Sequence, residues 1–456
     1  MNRPAATPTA ALIDRVSALR FEQLPPDVVM VARHCIRDWT AVGLAGSTEP
    51  ISRYLRDEVL ERDSAEEATS FGASRKVTAH DAALCNGAAA HALDFDDVLE
   101  TMLGHPTAPV LSAAMAVGEK IGASGAHVLT AFVAGVETES IMGRMMEPGH
   151  HEAGWHTTGT LGTFGATAAV AHLLQLQPGQ WSHALGLAAA QAAGVKAGFG
   201  TMAKPFHAGR AAANGVLAAS LARRGVTAAH DVIEAPRGYA DLTTTTFDPT
   251  VLDSRSEHRF DIREVLFKRH ASCYLTHSLI EGLLHIRPSL DTGTADITEI
   301  RMNVLPVHLT TCGVDDPATP LEGKFSLRFV AGLALVAGQA GEQQFTDEWL
   351  AHPEVRRLSA LVHITPDHDG SQMATPVHVH THTGRTLRSC VDVGIPASGE
   401  DLFEQQDRLV EKFRSLAYPV LGDAAEPLSA LIETFDSLDD VRSFMAHTRA
   451  HLGVTV

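Results

Sequence analysis

Between Ala153 and Val195 the chain contains no Asp, Glu, Lys or Arg, although 20% of all residues are charged and the formal net charge is −18. A run of this length without an ionised side chain belongs either in a bilayer or in a protein core. A spanning helix needs about 20 strongly apolar residues. This stretch is instead rich in Ala, Gly and Thr, carries His172, Gln175, Gln177, Gln180 and Gln191, and is broken by Pro178-Gly179. It therefore reads as two closely packed core helices. Gly159, Gly162 and Gly165 recur every third residue and let a neighbouring helix approach. They are not a dinucleotide fingerprint, which needs G-x-G-x-x-G after a strand.

The run is flanked by two dense clusters of ionisable groups. HHEAGWHTTGTLGTFG brings His150, His151 and His156, and KAGFGTMAKPFHAGR brings Lys196, Lys204, His207 and Arg210. In an acidic chain, basic groups at the ends of buried helices point to an anion pocket. His156 precedes the Thr157-Thr158-Gly159 turn. A helix N-terminus there would favour a bound anion through its free N–H groups. It would also disfavour imidazolium, leaving a neutral base near pH 7. Upstream, HALDFDDVLETMLGHPTAPV holds Asp94, Asp96, Asp97 and His105. Asp94, between Leu93 and Phe95, is expected to be buried. Asp96 and Asp97 read either as solvated acids at a helix end or as part of a metal-ligating set of three acids, and helical spacing would put Asp94 and Asp97 on one face. His105, before Pro106 in a loop, is a candidate for catalysis. Lys204 and Lys268 stand among apolar or small neighbours and are candidates for anion binding.

Several chemistries are disfavoured. His151 and His156 are five apart rather than four, so they do not share the zincin face. The acids do not form the D-x-D-x-[DN]-G calcium loop. His378, His380 and His382 alternate along an expected strand and share one face, but no Cys or acid joins them, so an open strand face is expected. There is no G-x-S-x-G elbow and no P-loop. The expectation is an enzyme with no metal and no cofactor. The five cysteines are scattered and form no C-x-x-C pair, as in a reduced intracellular protein. With no apolar signal segment at the start, cytoplasm is the expected location. The net charge argues against nucleic acid as a partner.

The organisation reads as helix, then mixed, then helix. Residues 8–60 and 79–146 are amphipathic and Ala-rich, with one helix opening after Pro25-Pro26 and ending at Gly46. Another is expected after Pro205, running to Gly225. From about residue 290, DITEIRMNVLP, SALVHITPD and PVHVHTHTGRTLRSCVDVGI alternate with strand period. LEGKFSLRFVAGLALVAGQ is a helix candidate, and Thr383-Gly384-Arg385 is a hairpin turn. The tail from EDLFEQQDRLVEKFRSLA returns to charged helices. The expected architecture is mainly α: an all-helical domain of residues 1–267 and 399–456, with an α+β domain of residues 268–398 inserted.

The motifs LPPDVVMVARHCIRDWTAVGLAG, NGAAAHALDFDDV, GHPTAPVLSAA, GWHTTGTLGTFGATAAVAHLL, MAKPFHAGRAAANGVLAA, FKRHASCYLTH and GKFSLRFVAGLAL occur in this order along most of the chain. Together they resemble the MmgE/PrpD family. The resemblance implies a large helical domain built from both chain ends, a smaller α+β lid domain, a homodimer and metal-independent catalysis. It implies small polycarboxylate substrates, as in 2-methylcitrate dehydratase, cis-aconitate decarboxylase and iminodisuccinate epimerase, with proton transfer next to a carboxylate. The pocket positions it implies are Asp94, His105, His156, Lys204 and Lys268, meeting in one cleft at the domain boundary, with His207 and Cys273 as further substrate contacts. His156 or His105 would be the general acid/base, Asp94 would orient an imidazole, and the lysines would bind carboxylates. Val98 stands where decarboxylase-like members have a threonine, and Cys273 where they have a histidine. The segment from Asp97 to His105 is also about one residue longer. These departures weaken the cis-aconitate decarboxylase assignment and leave dehydratase and epimerase chemistry open; the reading is a 2-methylcitrate-dehydratase-like hydro-lyase, with an epimerase or a decarboxylase on a related polycarboxylate as the alternatives. The reading of a different class is a non-catalytic helical dimer that binds a carboxylate.

Overall fold

The computed structural model describes residues 7–62, 64–252, 259–290 and 293–449. Over these residues the chain divides into two compact units. The first takes Met1–Ala92, Asp96–Phe267 and Pro396–Val456, and the second takes Leu93–Phe95 and Lys268–Ile395. Residues 93–95 thus group with the mixed unit rather than with the helical stretch around them, and the second boundary falls three residues before the expected position. The protein is mainly α with a small sheet.

The helical unit contains α1 (Pro8–Ser17), α2 (Pro26–Gly46), α3 (Pro50–Leu60), α4 (Ala79–Ala92), α5 (Thr107–Ile121), α6 (Gly125–Met146), α7 (Gly149–Glu152), α8 (Thr157–Leu173), α9 (Pro178–Ala189), α10 (Ala203–Arg223) and α11 (Tyr239–Thr243). The charge-free stretch supplies α8 and α9. Every residue of α8 is buried, and the helix packs against α5, α6, α9 and α10. Charge is absent from it because no face of it reaches water, and an unpaired charge there would be costly. No described helix is long and apolar enough to cross a membrane.

The three-residue glycine spacing serves several neighbours rather than one. Three residues advance a helix by about 300°, so each glycine faces a different direction. A Cβ on Gly162 would meet Pro109 at 2.7 Å, while one on Gly165 would meet Val110 of α5 at 2.8 Å and the Gly135 carbonyl of α6 at 3.0 Å. Both α5 and α6 therefore lie directly on the backbone of α8.

The tail supplies α18 (Asp401–Leu421), α19 (Ala425–Glu433) and α20 (Arg442–His447), numbered after the second unit's helices α12 to α17. Helix α18 packs on α2, and buried Lys412 meets buried Asp38 at 2.6 Å. Both chain ends thus build one helical unit.

The second unit contains α12 (His277–Ile286), β1 (Ile297–Val304), α13 (Pro306–Cys312), α14 (Pro320–Gly323), α15 (Leu327–Ala337), α16 (Asp347–Ala351), α17 (Pro353–Ala360), β2 (Val362–Pro366), β3 (Val377–Thr381) and β4 (Thr386–Ser389). The sheet order is β2-β1-β3-β4. Strand β1 pairs parallel to β2 and antiparallel to β3. The alternation seen in the sequence is real burial: Ile300, Met302 and Val304 are inside, while Arg301 and Asn303 are exposed. Helix α12 covers the inner face, where a Cβ on Gly282 would touch Val377 at 3.0 Å. The hairpin between β3 and β4 closes through Gly384 N–H to the Thr381 carbonyl at 3.0 Å. Gly384 sits at φ 78°, a left-handed conformation that glycine adopts without cost. Of the histidine row, His378 and His380 lie half-buried on the open face of β3, and exposed His382 follows the strand.

Candidate functional site

Helix α4 ends at Ala92, and residues 93–97 are not helical. The helical-face argument for Asp94 and Asp97 therefore does not apply. The expectation of solvated acids is also overturned: Asp96 and Asp97 are 2% and 0% exposed. The chain turns back on itself after α4, which brings the Asp96 carboxylate onto the last turn of that helix. His91 Nδ1 lies 3.0 Å and 2.9 Å from its two oxygens.

His105 comes from the loop before α5. Its backbone N–H donates to Thr158 Oγ1 at 3.0 Å, which ties the loop to the first turn of α8. Its Nδ1 is 3.4 Å from Asp96 Oδ2, and its ring lies 4.4 Å from that of His91. His156 is the N-cap residue of α8. Its backbone N–H is held by the Gly194 carbonyl at 3.0 Å, and its ring stacks on His91 at 5.8 Å. On its far side, His156 Nδ1 meets Nδ1 of His207 at 3.0 Å; one of the two donates. The Phe199 ring edge closes on His156 at 5.0 Å. Lys204, in the first turn of α10, is 7% exposed, with its Nζ over the Phe199 ring at 5.3 Å. Four imidazoles, one carboxylate and one ammonium group thus share one region of the helical unit.

The surroundings set their protonation. Burial, reinforced by the His91, Lys204, His207 and His105 side chains, holds His156 well below the usual imidazole range. A neutral His156 was expected from the helix N-terminus, and it does cap α8; burial and crowding by basic groups act in the same direction. His207 is lowered by burial and by Lys204. Burial takes His91 down to about 4 despite the opposing pull of Asp96. For Asp96, burial acts upward, but the charges and hydrogen bonds of His105 and His91 outweigh it and hold the carboxyl well below its usual range. Its neighbour Asp97 behaves oppositely. Burial, then the nearby Asp38 carboxylate, pushes it up to about 8, with Thr107 donating to it from backbone and hydroxyl.

The other expected site residues lie in the second unit. Lys268 is 2% exposed; its Nζ donates to the Asp94 carboxylate at 2.9 Å and to the Asp94 carbonyl at 2.6 Å. Asp94 sits at φ 51°, a left-handed conformation that Asp tolerates better than most residues. Asp94 is thus engaged with Lys268, and Asp96 meets the imidazoles of His91 and His105. Cys273 is half-buried, and its N–H donates to the Lys324 carbonyl at 3.0 Å.

Two residues of the cluster were not singled out, His91 and the buried role of Asp96. Their only sequence signal is a histidine at the end of an Ala-rich helix followed by DFDD. Conversely, His150 is structural: its nitrogens meet Thr243 O at 3.0 Å and Thr160 Oγ1 at 2.8 Å. Donor atoms of His91, Asp96 and His105 lie within 4.8 Å of one another. This set is close enough for one ion.

Residues 10–252 match the model of the MmgE/PrpD N-terminal domain, and residues 270–436 match that of the C-terminal domain. The chain is 26% identical to human cis-aconitate decarboxylase over 451 residues, covering 95% of this chain and 92% of the relative. It is 27% identical to cis-aconitate decarboxylase of Aspergillus terreus, covering 95% and 94%. It is 26% identical to a cis-aconitate decarboxylase-like protein of Aspergillus oryzae, covering 97% of each.

Proposed function

We propose that this chain, which belongs to the MmgE/PrpD family, is a lyase acting on a small tricarboxylate, with decarboxylation ahead of dehydration. The relatives carry the name cis-aconitate decarboxylase, which reverses the order suggested by Val98 and Cys273. The observation that carries the reading is a pair of imidazoles with opposed surroundings beside a buried lysine. His105 stands 3.4 Å from the Asp96 carboxylate, whereas His156 is crowded by basic groups. Titratable groups whose environments push them apart mark an acid and a base.

In decarboxylation, the bond between a carbon and its carboxylate breaks and CO2 leaves. The electron pair stays on carbon, spread into the adjoining unsaturated carboxylate. Lys204 stabilises that charge, and His105, which stands beside Asp96, delivers the proton that completes the product. Neutral His156 accepts a hydrogen bond or a proton. His207, Lys268 and Cys273 are assigned to substrate binding on the family resemblance.

The second reading is dehydration, which the Val98 and Cys273 departures leave open. It uses the same groups: His156 removes a proton next to a carboxylate while His105 protonates the departing hydroxyl. The test is a substrate panel of cis-aconitate, citrate-like hydroxy acids and amino-dicarboxylates, followed by NMR. Stoichiometric CO2 from cis-aconitate supports the first reading. Water loss from a hydroxy acid supports the second. Inversion of a stereocentre without bond loss favours an epimerase, and binding of a carboxylate without turnover favours the non-catalytic reading.

A further inference from the structure

Asp96 is shared by two imidazoles, and the two contacts differ. His91 is 1% exposed, and its Nδ1 spans both carboxylate oxygens at 2.9 Å and 3.0 Å. Burial takes the His91 imidazole down to about 4, and, against its burial, the charges of His105 and His91 hold the Asp96 carboxyl well below its usual range. A contact this short between a carboxylate and a neutral ring nitrogen requires the hydrogen to sit on Nδ1. His91 Nε2 is then a bare lone pair, and it has no hydrogen-bond partner among the described residues. The second contact, to His105 Nδ1, is longer, at 3.4 Å. That distance leaves room to tighten when His105 takes up a proton.

A carboxylate beside an imidazole selects the nitrogen that keeps its proton and presents the other to substrate. A buried carboxylate with no fixed donor is itself costly and would take the proton it is meant to direct. A neutral N–H donor satisfies it without adding charge. His91 has that property, and its ring also stacks on that of His156 at 5.8 Å.

We propose that His91 and Asp96 are positioning residues: His91 holds Asp96 in place through its Nδ1–H, and Asp96 fixes the proton of neutral His105 on Nδ1, presenting Nε2. The consequence for turnover rests on the reading of His105 as the proton donor; the consequence for the His105 tautomer does not.

The test uses full-length protein labelled with [15N]histidine. The His105 signals are identified by their loss in His105→Gln, and the tautomer is read from two-bond 1H–15N spectra. The expected wild-type form is Nδ1–H. Asp96→Asn should move the proton to Nε2 and lower kcat by about 10²–10⁴-fold with KM within a few-fold. His91→Phe should cost about 10–100-fold, and His91→Asn, which restores an N–H donor, should recover most of that loss. Melting temperatures of all variants separate these effects from unfolding. Three results would overturn the proposal: Nε2–H His105 in the wild type, His105 signals indifferent to Asp96→Asn, or equal activity of His91→Phe and His91→Asn. Stoichiometric zinc bound at these residues would also overturn it. A wild type inactive on every tricarboxylate defeats the functional reading alone, because the tautomer measurement still decides the positioning roles.

Discussion

Asp97→Asn isolates the cost of burying a carboxyl beside the site. Asp97 has no exposed surface, and its carboxyl is pushed from its ordinary 3.8 to about 8 by burial and by Asp38. The folded protein therefore keeps a proton that the unfolded chain releases above about pH 4. Unfolding releases that proton across the window from about 4 to about 8, so wild-type stability falls as pH rises through it and levels off above it. The gap is about four pH units, and at about 1.36 kcal/mol per unit the accumulated loss is on the order of 5 kcal/mol. Asp38 titrates against the same charge, so this is an upper bound. Asn keeps the shape, accepts one Thr107 hydrogen bond on its amide oxygen and can donate from its NH2 to the Thr107 hydroxyl, yet cannot ionise. The variant should match the wild type near pH 4.5 and exceed it by several kcal/mol at pH 8. Urea unfolding at both pH values measures this difference. A stability difference that does not change with pH, or a wild type favoured at pH 8, would refute the reasoning.

His156→Gln should lower kcat by about 10²–10⁴-fold with a small change in KM, whereas a loss of melting temperature with full turnover per folded molecule would make His156 a packing residue. Lys268→Met leaves the buried Asp94 carboxylate without its 2.9 Å partner and should destabilise the protein by about 3–5 kcal/mol, read by thermal melting. Chelation should leave activity unchanged, checked by assay after prolonged dialysis against EDTA and by elemental analysis. Sedimentation should give a dimer.

The parts of this molecule that follow from periodicity were legible in the sequence. Loss of charge over 153–195 reports a buried α8, and alternation reports β1 and β3, because both patterns are written by burial of one element against its neighbours. The site was legible only in part. His105, His156, His207 and Lys204 stand out as basic groups in an acidic chain. His91 does not, since five residues separate it from Asp96 and helical spacing would turn them apart. Only the reversal of the chain after Ala92 brings them together, and nothing in HALDFDD announces it, because its apolar and acidic residues fit a helix end as well. The neutral state of His156 was anticipated from one contribution only, for a similar reason. A helix N-terminus is local and readable, whereas the ring of basic neighbours is assembled from α4, α10 and the loop before α5.

The central claim is that the histidine and lysine cluster of the helical unit performs lyase chemistry on a tricarboxylate. The most direct measurement is purified protein with cis-aconitate in D2O, followed by NMR and CO2 release, beside His105→Gln. The account predicts one CO2 per molecule consumed, one deuteron at the carbon that formerly bore the electron pair, and loss of both in the variant. Consumption that persists undiminished in His105→Gln, or no consumption of any tricarboxylate by the wild type, would contradict it.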